Sequence, residues 1–237
     1  MTDHDLQRGS VIFYLFLAVA LFAALSLAVG NIMRSGDPDS IGKEVAKTAA
    51  TDILQFANSW RRAVQGLRID GFDDTEISFE NDFVAGYANA NCTVTRCRIF
   101  AAGDGLNHRA PDADWFDTAQ SAQSGYGGYV VSGENNVVGI GTTDPDLVLV
   151  VPWLKKTICT TINDQLGIAN PGGAPPKDTG DVDMATLFTG TYTATETLGY
   201  TAAPGDTELQ SLHAACFQGD NDPPAGSYHF YQVLIAR

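Results

Sequence analysis

The sequence predicts an α+β protein: an N-terminal transmembrane helix, a long amphipathic helix, and a mostly antiparallel β-sheet domain with one further helix. Three observations carry this. Val11 to Val29 contains no charged residue, a three-to-four-residue apolar spacing begins near Ser40, and beyond Gly71 the apolar period shortens to about two. The expected divisions are a short cytoplasmic stretch (1–9), a transmembrane helix (10–33), a linker (34–39) and an extracytoplasmic domain (40–237). Within that domain, 40–69 reads as helix and 72–237 as sheet-rich.

Nineteen uncharged residues at about 1.5 Å each span roughly 28 Å, close to the hydrocarbon thickness of a bilayer. A cleaved secretory signal has a shorter apolar stretch, about 7–15 residues, although a small-x-small site can be drawn near "ALSLAVG". Arg8 and Arg34 flank the segment and give little orientation by charge. The cysteines orient it better: four of them beyond an apolar segment fit an oxidising compartment, which puts the N-terminus in the cytoplasm and the bulk outside.

"RSGDPDS" interrupts the helical pattern, because Pro38 disfavours helical geometry at Asp37. From Ser40 onward, Ile41, Val45, Ala49, Leu54, Phe56, Trp60, Val64 and Leu67 recur on one face, and Arg61, Arg62 and Arg68 lie late, where cations suit the helix dipole. Gly71 ends this helix. "FVAGYANANCTVTRCRIF" then reads as two short strands joined across a cysteine loop. Trp115 and Phe116 are expected to tuck into the body from a long polar stretch. "GYVVSG", "NVVGIG" and "DLVLVV" read as a three-stranded antiparallel meander. Pro152 is expected to open a helix through "PWLKKTICTTINDQLGI", "NPGGAPPKDTGD" to be a loop without regular structure, and "SYHFYQVLIAR" to be a strand held by pairing.

Cys92, Cys97, Cys159 and Cys216 allow three pairings. "CTVTRC" has the length of a tight closed loop, which favours Cys92–Cys97 with Cys159–Cys216; buried free thiols are the other reading. Zinc ligation usually takes two close cysteine pairs, and only one is present.

Charge is uneven. Residues 1–70 carry seven basic and seven acidic side chains, whereas 71–237 carry seven against twenty-one, the whole of the net charge of −14. A domain this acidic repels phosphate, which excludes nucleic acid as an expected partner. No catalytic constellation is legible. The four histidines are far apart, no G-x-S-x-G elbow or phosphate-cradling loop occurs, and "GIGTT" is a lone G-x-G without a following helix. No cofactor is expected. "DTGDVDM" sets Asp178, Asp181 and Asp183 close together, a weak candidate for calcium, which takes six to eight oxygens; solvated loop charge is the plainer reading. Loop aromatics in "SGYGGY" and "SYHFYQ" offer an adhesion surface or, on alternate strand positions, core.

"QRGSVIFYLFLAVALFAALSLAV" resembles the N-terminus of type IV pilins and type II secretion pseudopilins. Members have a short polar leader ending in Gly, followed by an apolar helix that serves as membrane anchor and filament core. The resemblance implies processing between Gly9 and Ser10, assembly with like or other pilin-type subunits through Val11–Val29, and a location in the cell envelope or an extracellular filament. One position departs from the pattern. The fifth residue after Gly9 is Tyr14, where most members carry a Glu that meets a neighbouring amino terminus; some minor pilins and pseudopilins lack it too. The expectation is a non-enzymatic structural subunit. A single-pass anchored binding or sensor domain is the alternative.

Overall fold

The computed structural model describes residues 13–23, 38–100, 105–193, 196–200 and 208–237. The chain divides into two compact units, Met1–Val45 and Ala46–Arg237. Helix α1 (13–23) belongs to the first, and helix α2 (Pro38–Ile69) begins there. Every described residue of α1 is solvent-exposed.

α2 starts at Pro38, two residues before the expected Ser40 and inside the expected linker. Proline is tolerated in the first turn, where its missing N–H has no intrahelical acceptor. The helix ends as expected: Gly71 takes φ 93°, and the Phe72 and Gly71 amides close on the carbonyls of Leu67 and Arg68. Its buried face is rotated from the expected one. Ala46, Ala49, Ala50, Ile53, Ala57, Trp60 and Val64 are buried, while Val45 is 58% exposed and Leu54 and Phe56 are only partly covered. Alanines at this spacing let the helix backbone approach the domain closely, and the large anchor is Trp60, stacked on Phe79 at 5.8 Å between centroids.

The second unit holds a six-stranded mixed sheet in the order β3-β5-β6-β2-β1-β4. Its strands are β1 (Val130–Val137), β2 (Asp146–Val151), β3 (Lys177–Asp178), β4 (Glu196–Leu198), β5 (Ala214–Gly219) and β6 (Tyr228–Ile235). The central pairs β5–β6, β6–β2 and β2–β1 are antiparallel, but the outer pairs β1–β4 and β3–β5 are parallel, so the sheet is less antiparallel than expected. It is also nearly closed. Between the outer strands, the Thr197 amide bonds the Asp181 carbonyl at 3.1 Å and the Thr179 amide the Tyr200 carbonyl at 2.9 Å.

Strand β2 shows how one sheet serves two cores. Leu147, Leu149 and Val151 join the cluster that includes Trp60 and the buried face of α2, while Val148 and Val150 join a second cluster with Val182, Met184, Phe217 and Tyr231. Past Asp146 such a strand is apolar, which is why "LVLVV" reads as a continuous run.

Several expected elements differ. Residues 72–100 form no strand ladder; they hold 3₁₀ turns at Asp74–Glu76 and Thr95–Cys97 and one isolated bridge, Ser78 to Arg98. Side chains replace the ladder here, with the Asn89 amide donating to the carbonyls of Thr75 and Ile77 at 2.9 and 2.8 Å. The three-stranded meander is two strands, because "ENN" lies within β1 rather than in a turn. Asn135 exchanges hydrogen bonds with the Asp183 backbone, and the Asn136 amide holds the carbonyls of Thr142 and Asp144 in the real turn. Helix α3 (Lys156–Leu166) starts four residues after Pro152, since Trp153 takes φ 62°. The proline-rich loop contains a 3₁₀ turn at Pro171–Gly173 and the two-residue β3.

Trp115, Phe116 and strand β6 are buried as expected. Tyr129, Phe230 and Tyr231 are core, so these aromatics form no adhesion surface. Both disulfides are present in the favoured pairing, with Cα–Cα distances of 5.7 Å for Cys92–Cys97 and 5.4 Å for Cys159–Cys216. The second ties α3 to β5. Asn163 doubles it, donating to the Cys216 carbonyl at 3.0 Å and accepting from the Cys216 amide at 2.8 Å.

Candidate functional site

Two features stand out, one in each unit. The first is α1. Phe13, Tyr14, Leu15, Phe16, Val19, Leu21 and Phe22 are each 59–72% exposed, and Leu17 is 46% exposed. An all-round apolar helix is normally covered by protein or lipid. Gly9, Ser10 and the ends of Val11–Val29 lie outside the described residues. Among the described residues no helix is long and apolar enough to cross a membrane. Tyr14 is 65% exposed, with its ring edge-on to Phe13.

The second is a cleft of about 550 Å³ in the larger unit, lined by Gln123, Ser124, Glu134, Trp153, Asp181 to Thr186, Glu196, Asp222 and Pro224. Its least exposed lining residue is Trp153, 4% exposed and held in a left-handed conformation that bulky residues rarely adopt. Three bonds enforce that conformation. The Trp153 amide donates to His229 Nδ1 at 3.2 Å, its indole N–H donates to the Ser124 carbonyl at 2.7 Å, and its carbonyl accepts from the Asp117 amide at 2.8 Å. His229 is fully buried, edge-on to Trp153 at 4.7 Å, with Nε2 2.7 Å from Ser227 Oγ. Burial pulls its pKa down to about 3, so the ring is neutral and Nδ1 is free to accept.

The three aspartates proposed for calcium have separate tasks. Asp178 is buried between the outer strands and accepts from the Gly180 amide at 2.8 Å and the Gly199 amide at 2.6 Å. Burial raises its pKa to about 6, opposed by those amides and that of Tyr200. Asp181 accepts from the Asn221 amide at 2.6 Å. Asp183 accepts from the Ser132 hydroxyl at 3.2 Å and from the amides of Ala185 and Thr186 at 2.8 and 3.0 Å, which shapes the turn along the cleft wall. Asp181 and Asp183 line the cleft and Asp178 does not. Among the described residues, no three His, Cys, Asp or Glu side chains are grouped to hold a metal ion.

The cleft itself is absent from the sequence reading. Glu134, Trp153, Asp183 and Asp222 are far apart along the chain, and their meeting depends on the crossover that places β4 beside β1 and on the isolated bridge between Asp181 and Asp222. No local motif marks them. The chain matches no protein-family model, no curated protein and no solved structure.

Proposed function

We propose that this chain is a membrane-anchored, pilin-like structural subunit, processed after Gly9 and assembled with like or other pilin-type subunits through its N-terminal apolar helix. The observation that carries the reading is α1: large apolar side chains are exposed on every side, in a segment that precedes the long helix α2 and the disulfide-bonded domain in sequence. Such a surface demands lipid or other apolar helices around it. The "QRGS" sequence before it supports processing that leaves the helix intact, and the two disulfides support an extracytoplasmic domain.

The test is the intact mass of the protein recovered from membranes. Loss of residues 1–9, with or without N-methylation of Ser10, is expected, together with filaments in electron micrographs. A chain retaining Met1 through Gly9 counts against the reading.

The cleft around Trp153 favours a second reading, a single-pass anchored binding or sensor domain in which the helix only tethers. Its signature is an unprocessed N-terminus and a monomeric domain whose Trp153 fluorescence responds to an added solute.

A further inference from the structure

The cations of this acidic protein are sorted by position. All five ion pairs among the described residues take their cation from outside α2: Arg96, Arg98, Arg109, Lys177 and Arg237. Arg61 and Arg62 on α2 enter none of them. With Gln55, Asn58 and Gln65 they line a shallow depression of about 410 Å³ on the side of α2 turned away from the core, a cationic strip on a chain of net charge −14. The carboxylate rim of the cleft (Glu134, Asp181, Asp183, Asp222) is a separate surface that shares no residue with this strip. α2 packs on the cluster holding Leu147, Leu149 and Val151, whereas Val182 and Met184 of the rim segment belong to the cluster holding Val148 and Val150.

Two separate surfaces of opposite sign, with no ion pair between them among the described residues, do not satisfy each other within a single chain. Across two chains they can, and the contact is head-to-tail: each copy uses its helix face on one neighbour and its cleft rim on the other. We infer that the Arg61–Arg62 face of α2 docks against the carboxylate-rimmed cleft of a second copy of this chain. Both surfaces are in the unit Ala46–Arg237, so the contact is separate from any made by the apolar helix. Copies at net charge −14 repel one another, and an association that matches a cationic strip to an acidic rim offsets this while fixing register. The inference rests on the assembly reading proposed above and adds the domain-level contact to it.

The test uses the full chain in detergent micelles, with Asn58 replaced by a photo-reactive amino acid and cross-linked peptides mapped by mass spectrometry. The expected product is a dimer cross-linked from position 58 to the segment 181–186 or 222–224. Its yield falls about tenfold in molar salt, where exposed charges are screened within a few ångströms. R61E together with R62E abolishes the product. Mixing that variant with a copy carrying D181R and D222R restores it, which separates loss of the contact from loss of folding. A cross-link absent at low salt, mapping elsewhere, or indifferent to salt and to the charge reversals overturns the inference. Those results leave the processing reading standing, because an unprocessed N-terminus is the outcome that removes it.

Discussion

The carboxylate of Asp178 accepts the Gly199 amide at 2.6 Å, so one buried side chain on β3 holds the turn that follows β4, at the opposite end of the strand order. A buried acceptor serving two amides is costly to remove, because both donors lose their partner in a dry site. Asp178→Ala is expected to lower stability by about 2–4 kcal/mol, measured by urea unfolding at pH 7. An unchanged midpoint would show that the two ends of the sheet stay together without it.

Asp178 and His229 give opposite pH dependences. For Asp178 the folded pKa, about 6, lies above the ordinary carboxylate value of 3.8, so the folded state holds the extra proton and this residue adds stability as pH falls from 6 towards 3.8. For His229 the folded pKa, about 3, lies below the ordinary 6.5. Its contribution is present above pH 6.5 and is lost as pH falls towards 3, by about 1.4 kcal/mol per pH unit in that window. Urea titrations at pH 7, 6, 5 and 4 on the parent and on His229→Asn test the second effect. The parent is expected to lose more stability on acidification than the variant, and equal slopes would refute the assignment.

The Cys159–Cys216 bridge closes a separation of 57 residues between α3 and β5, whereas Cys92–Cys97 closes a separation of five. Replacing the first pair by alanine is expected to cost about 2–5 kcal/mol, and replacing the second pair distinctly less, since a short loop has little closure entropy to remove. Thermal unfolding of the two double variants ranks them. The reverse order would mean that the Asn163 bonds alone secure α3.

On α2, Ala50 is fully buried and Val45 is 58% exposed. Ala50→Leu is expected to destabilise by about 1–3 kcal/mol through overpacking, while Val45→Leu leaves stability within about 0.5 kcal/mol. If Val45→Leu is the harmful change, the buried face is the one expected from the sequence.

What the sequence revealed depended on how local the cause was. α2, α3 and β6 carry their own periodicity and stop signals, so they were legible to within a few residues. The tight cysteine pair was legible from "CTVTRC". Rotation of the α2 face was missed because alanine is a weak apolar signal, yet small residues are what a close helix contact requires. "ENN" looked like a turn because the hydrogen bonds that keep Asn135 and Asn136 within or beside the ladder come from residues 142–144 and 183. The cleft was invisible for the same reason on a larger scale, as every wall comes from a different segment.

The nearly closed sheet limits how copies of this domain can join. An open sheet edge is a template on which a neighbour's strand, or an aggregating copy, can extend the hydrogen-bond ladder. Here the segments at β3 and β4 use their amides and carbonyls on each other, through Thr197 with Asp181 and Thr179 with Tyr200, and Asp178 occupies the gap between them. Donated-strand exchange and edge-to-edge growth therefore have no free rail at that seam. A contact made at that seam would have to use side chains, which can be tuned by charge and reversed by salt.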